Sequence, residues 1–329
     1  MGKLRDRLVL KLGEVHPKSE LLPWLKGYIP HPDSYIRNSI PIEKRLYYAK
    51  LGYTEFLAEM NIELNFDQAL AIGALISGDY HTGYMIEPPR FGKSFIMGAL
   101  ANYLAMHSYS VSVVASKSSR TAKVMEHARR HLRGASIDMK NMLVEESKAS
   151  ISKADKLLGR SETAYSKSRI VFKNGNKIDT KSTGDTFSSM DSDENIGEGS
   201  HVLIDEMDFI SERALTELGR REFERDDGES LILFGISNPR FLNHFHESVT
   251  NPNLKDDEFV IWGNIVTSME SDSIKMTPEE VLASDFARTE ESIRINLLCE
   301  YDENSSEFFN APMIVAPRHD ISSISPRTI

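Results

Sequence analysis

The chain has 329 residues, a formal net charge of -10, 40% hydrophobic and 27% charged residues, a balance that suits one large or two modest soluble domains. A single cysteine, Cys299, excludes an internal disulfide and fits a reducing compartment. No run approaches the roughly 18 apolar residues of a membrane span, so no membrane partner is expected.

Residues 1–60 are interrupted by Pro23, Pro30, Pro32 and Pro41 and read as an N-terminal arm or small subdomain. Apolar residues at helical spacing begin at Phe66, with Asn65 or Asp67 as the cap and Gln68 in the first turn. Tyr84-Met85-Ile86 reads as a buried strand, stopped by Pro88 and Pro89. A helix follows from Gly92-Lys93-Ser94, with Phe95, Ala99, Leu100, Tyr103 and Leu104 on one apolar face. Val111 to Ala115 is the next strand, which implies a right-handed parallel crossover. A strongly basic helix is expected from Arg120 to about Leu143. From Lys117 to Lys181 there are 16 lysines and arginines against 7 acids. Such a stretch inside an acidic protein leaves two readings open, a nucleic-acid face or a solvated helix surface.

Ile170 to Ile178 turns at Asn174-Gly175 and predicts a hairpin. A polar loop over 182–200 leads into the apolar strand His201-Val202-Leu203-Ile204, which ends in Asp205-Glu206. A helix near 211–223, a strand from Leu231 to Ile236 and a strand from Phe259 to Trp262 come next. Two further helices follow, the first entered through Thr277-Pro278. The tail 310–329 has no clear period and is expected to be poorly ordered. The division is an N-terminal arm or small subdomain over 1–60, a main domain over 61–309 and the tail over 310–329.

Gly92-Lys93-Ser94 is the end of the phosphate-loop pattern Gly, four residues, Gly-Lys-Ser/Thr, with Glu87 at the first glycine position. A strand before it and a helix after it are what the chemistry needs, because N–H groups at a helix start point at phosphates. Arg90, Phe91, Gly92, Lys93 and Ser94 are therefore expected to bind ATP, with Lys93 on the β- and γ-phosphates and Arg90 near the γ-phosphate. Ser94 and Asp205 are expected to hold Mg²⁺. Glu206 would orient and deprotonate the attacking water. Ser237-Asn238, after the next strand, would touch the γ-phosphate or that water, and Gln68 would read the adenine edge.

In this order the motifs resemble those of the large terminase subunit, the ATP-driven DNA-packaging motor of tailed phages and herpesviruses. The resemblance runs from Phe66 to Phe309 and takes in Gln68, Arg90 to Ser94, the hairpin Val171 to Ile178, Leu203 to Asp208, Ile236 to Pro239 and Leu298 to Tyr301. It implies an α/β RecA-like (ASCE) P-loop fold of three layers around a mostly parallel sheet, with small helical N-terminal and lid elements. It also implies double-stranded DNA, a small terminase subunit and a portal as partners, a homo-oligomeric ring and the host cell cytoplasm as the place of action. The family's loop arginine commonly stands four residues before the lysine, where this chain has Pro89. The loop 195–200 lacks the arginine often found ahead of the acidic strand, which leaves Arg129, Arg130 and Arg133 as candidate fingers. The family continues into a nuclease, whereas this sequence stops soon after Tyr301, so the resemblance is to the ATPase domain. A helicase-type ATPase and a nucleotide-gated adaptor that does not turn over remain the alternatives.

Overall fold

The computed structural model describes residues 38–135, 169–183, 200–210, 230–240, 242–264, 284–285 and 288–301. The expected helices near 211–223 and after Thr277, most of the loop 182–200 and the tail 310–329 lie outside the described residues.

In chain order the elements are α1 (Ile42–Met60), α2 (Phe66–Ile76), β1 (Thr82–Ile86), α3 (Lys93–His107), β2 (Val111–Ala115) and α4 (Ser118–Gly134). Then come β3 (Arg169–Val171), β4 (Lys177–Ser182), β5 (His201–Asp205), a 3₁₀ turn (Met207–Phe209), β6 (Leu233–Ser237), α5 (His244–Thr250), β7 (Glu258–Trp262) and α6 (Glu290–Asn296). The seven strands form one sheet in the order β3-β4-β2-β5-β6-β1-β7. Every pairing is parallel except β3 with β4, the hairpin that turns at Asn174-Gly175. This is an α/β sheet of RecA-like order.

β2 and β5 are buried at every position, as expected of strands covered on both faces of a parallel sheet. Side-chain alternation divides the core into two. Met85, Val113, Leu203, Phe234, Phe259 and Ile261 face a cluster shared with α1, α2, α3 and α4. Ile86, Val114, Val202, Ile204 and Val260 face a second cluster with Phe245 and Val249 of α5, Cys299 and Tyr301. Cys299 is wholly buried.

Three expectations need correction. α3 buries ten residues around its circumference, Ile96, Met97, Gly98 and Ala101 among them, so its apolar surface is no single face. It is enclosed because α4 covers it closely, a Cβ on Gly98 falling 2.7 Å from the Ala128 nitrogen, while Tyr103 stacks on Phe56 of α1. α4 begins at Ser118 and ends at Gly134, where Ala135 is extended, rather than running to Leu143. Residues 42–60, read as part of an N-terminal arm or small subdomain, form a helix whose Tyr48, Ala49, Phe56 and Met60 join the main core.

α1 and α2 cross at Gly52 and Gly73. A Cβ on Gly73 would stand 1.8 Å from the Tyr48 carbonyl oxygen, and one on Gly52 would stand 2.2 Å from that of Ala69. Backbone rather than flexible side chain meets the added atom, so the helices must separate. Gly73→Ala is expected to destabilise the fold by about 1–3 kcal/mol or more, read as a lowered denaturation midpoint. An unchanged midpoint would contradict the close crossing.

Candidate functional site

β1 and β2, consecutive in sequence, lie on opposite sides of the β5–β6 pair. Open α/β sheets bind ligands at the carboxyl ends of their strands near such a switch. The segments leaving β1, β5 and β6 all emerge at that end.

After β1 the chain turns through two left-handed residues, Arg90 (φ 69°) and Gly92 (φ 87°), and Gly92 caps α3. Arg90 is exposed and Phe91 is buried. Gln68 holds the turn from below. Its Nε2 donates to the Phe91 carbonyl at 2.9 Å, and its Oε1 accepts from the Asn65 N–H at 3.2 Å. The Asn65 side chain in turn accepts from the Gln68 N–H at 2.7 Å, completing a capping box at the start of α2. Gln68 is thus both a helix cap and a strut under the loop, and its amide is engaged at both atoms. Glycine fits at 92 for a second reason besides its φ, since a Cβ would lie 3.1 Å from that Nε2.

Lys93 opens α3 and is 9% exposed. Its Nζ folds back and donates to the carbonyls of Glu87 (3.0 Å) and Pro88 (2.6 Å). Burial pulls its pKa down, opposed by Glu87 first and by Asp205 and Glu206 among the other acids. The Ser94 hydroxyl donates to Asp205 Oδ2 at 2.8 Å, although 111 residues separate the two. Burial pushes the Asp205 carboxyl above the usual carboxylate range, opposed by that hydrogen bond and raised further by Glu206 beside it. Its Oδ1 is buried with no hydrogen-bond partner among the described residues. A hydroxyl beside an orphaned carboxylate oxygen is a donor pair of the kind hard divalent cations take.

Glu206 follows β5 in a left-handed conformation, φ 57°. Its Oε1 meets Arg120 Nη1, on the first turn of α4, at 2.5 Å. Ser237, wholly buried, ends β6 between the two loops. Its carbonyl accepts the Glu87 N–H at 3.1 Å and its hydroxyl accepts the Asp208 N–H at 3.2 Å. It joins the loop after β1 to the acidic turn after β5. Asn238, half-buried, comes next in the chain.

The structure therefore brings Gln68, Phe91, Gly92, Lys93, Ser94, Asp205, Glu206 and Ser237 to one end of the sheet, with Arg90 on its rim. Two residues in it were not singled out from sequence for their roles. Arg120 lies five residues past β2, and only the pairing of β2 with β5 shows that it reaches Glu206. Glu87, read as a missing glycine, is a buried acid. Farther along α4 a groove of about 410 Å³ is lined by Ala122, Glu126, Arg129, Arg130 and Arg133, with Arg130 3.6 Å from Glu126.

No family model matches the chain, and no curated protein matches it. Among solved structures it is similar to an arginine-to-alanine mutant of the large terminase ATPase domain of a Thermus phage, with 13% identity and a TM-score of 0.49, covering 76% of this chain and 99% of that one.

Gln68→Ala removes the strut and half of the capping box. The expected loss is about 1 kcal/mol of stability, with faster amide hydrogen exchange over residues 88–93 than in the parent protein. Unchanged exchange there would show that the loop stands without it.

Proposed function

We propose that this chain is the ATP-hydrolysing motor of viral double-stranded DNA packaging, a large terminase ATPase. One observation carries the ATPase part: Lys93-Ser94 at the head of α3 closes onto Asp205-Glu206 at the tip of β5. The packaging part rests on the order of the motifs along the chain, from Gln68 through Ser237-Asn238.

In this reading the triphosphate lies along the turn 87–93. Its oxygens replace the Glu87 and Pro88 carbonyls as acceptors for Lys93, and the free N–H groups at the start of α3 face it. Ser94 and Asp205 are the residues that would hold Mg²⁺, and the orphaned Asp205 Oδ1 fits that role. The ion supplies charge neutralisation of the phosphates. Glu206 takes the proton of the attacking water. Arg120 fixes the Glu206 carboxylate through Oε1, which leaves Oε2 for the water. Ser237 bonds to both walls of the site, so loss of the γ-phosphate reaches β6 and Asn238 from either side. Arg90, exposed on the rim, is the γ-phosphate contact. Gln68 serves the adenine side through the position of the turn that it supports.

The DNA partner would meet the basic face of α4, where Arg129, Arg130 and Arg133 suit phosphate oxygens rather than base edges. A small terminase subunit, a portal, a homo-oligomeric ring and action in the host cell cytoplasm belong to the same proposal.

Glu206→Gln is expected to lower phosphate release by about 10²–10⁴-fold while ATP binding persists, measured on the full chain with DNA present. Undiminished turnover in the variant would sink the assignment of Glu206. Nucleotide binding with no phosphate release by the parent protein, even with DNA and partner subunits, would favour the adaptor reading.

A further inference from the structure

The Glu87 side chain takes no part in the chemistry just described, yet it belongs to the phosphate turn itself. It is 1% exposed, and neither carboxyl oxygen has a partner at full hydrogen-bond geometry among the described residues, the Asn65 side chain being the neighbouring donor that favours the ionised form. Its own main chain is fully committed, the N–H to the Ser237 carbonyl and the carbonyl to Lys93 Nζ. In the free protein the backbone from which the carboxyl projects is therefore held at the turn. The groups facing it come from three elements. Lys93 of α3 is the cation. Asp67, in the first turn of α2, is a second acid, and Asn65, capping the same helix, is the polar neighbour. Cys299, from the C-terminal segment, faces both Glu87 and Lys93.

In the free protein the Lys93 ammonium is the one positive charge among these groups. A triphosphate brings several negative charges to that ammonium and competes with Glu87 for it. An ionised Glu87 would then be a buried, unsolvated anion beside the phosphates, which is the costly arrangement. We propose that Glu87 is a positioning residue of the phosphate turn that must be protonated when the triphosphate is seated, so that wherever the free protein holds its carboxyl ionised, nucleotide binding takes up a proton from solvent onto it. The proposal rests on the reading of this turn as the ATP site. A proton leaves hydronium or the buffer acid, whose bond to it breaks, and forms an O–H bond on a Glu87 oxygen, and no other bond changes.

Burial already pushes the Glu87 carboxyl up to about 8, with Lys93 opposing the shift and Asp67 adding to it. Bound phosphate raises it further. The sign follows from linkage: binding favours the protonated form, so affinity is full below about pH 8 and falls as pH rises above it. The decline approaches tenfold per pH unit until the pKa of the bound state is passed.

The test is calorimetric titration of the full chain with Mg²⁺ and the β,γ-imido analogue of ATP, from about pH 7 to about pH 9.5, for the parent protein and for Glu87→Gln. The expected result is a Kd that rises above about pH 8 in the parent and stays level in Glu87→Gln. A level Kd in the parent overturns the proposal. An equal rise in both proteins also overturns it, because the titrating group would then be another, Lys93 first. Should Glu87→Gln fail to fold, the parent alone decides through buffers of unlike ionisation enthalpy. Proton uptake that grows as pH rises supports the proposal, and no uptake at any pH overturns it. Failure of the parent to bind the analogue at any pH is a different outcome, and it removes the ATP reading together with the proposal built on it.

Discussion

The hydrogen bond from Ser94 to Asp205 spans a gap that the sheet itself imposes. β6 stands between β1 and β5, and two strand spacings, about 10 Å, separate the strands that lead to these residues. The gap closes because the turn after β1 leans over the end of β6 before α3 begins. Two left-handed residues, Arg90 and Gly92, give the turn its curvature, and Gln68 props it from below. Ser237 then lies under the span and bonds to both sides of it. Removing β6 from between the other two would leave no place from which one residue touches both loops.

Charge in this small volume is unusually dense for a protein interior, with Glu87, Lys93 and Asp205 all buried. A buried ammonium without acceptors would be costly. Lys93 escapes that cost by taking two carbonyls of the turn it will present to a ligand. On the proposed reading, an entering phosphate would exchange one set of acceptors for another instead of stripping water from a lysine, because the lysine's desolvation has been met in folding. The same enclosure that shields the lysine leaves the Glu87 carboxyl with only Lys93 and the Asn65 side chain to offset its burial.

The sequence carried the parts that local chemistry dictates. β2 and β5 are apolar runs too uniform for a half-exposed strand, and Asn174-Gly175 marks its own turn. Lys93, Ser94, Asp205 and Glu206 stand where strand ends meet a helix start or a turn, and they converge. Long-range order was not written locally. Nothing in the neighbourhood of Arg120 indicates Glu206, because their meeting depends on β2 pairing with β5. The enclosure of α3 was hidden for the same reason. Its Phe95-to-Leu104 face is real, but what covers the remaining sides comes from α1 and α4. Gln68 shows a subtler limit, since a residue type suited to reading a base edge is equally suited to capping a helix. Glu87 was visible only as a departure from a pattern, and burial is what gives it meaning.

The outer strands of the sheet have one further consequence. At one margin β3 is three residues long, and Arg169 and Lys177 both pair with Asp179 there. At the other, Ser39 binds the main chain of Val260 twice, through its own N–H and through its hydroxyl. A strand from another molecule would find short, charged backbone at the first margin and an occupied central residue at the second. Among the described residues, both margins of the sheet are therefore poor templates for an added strand.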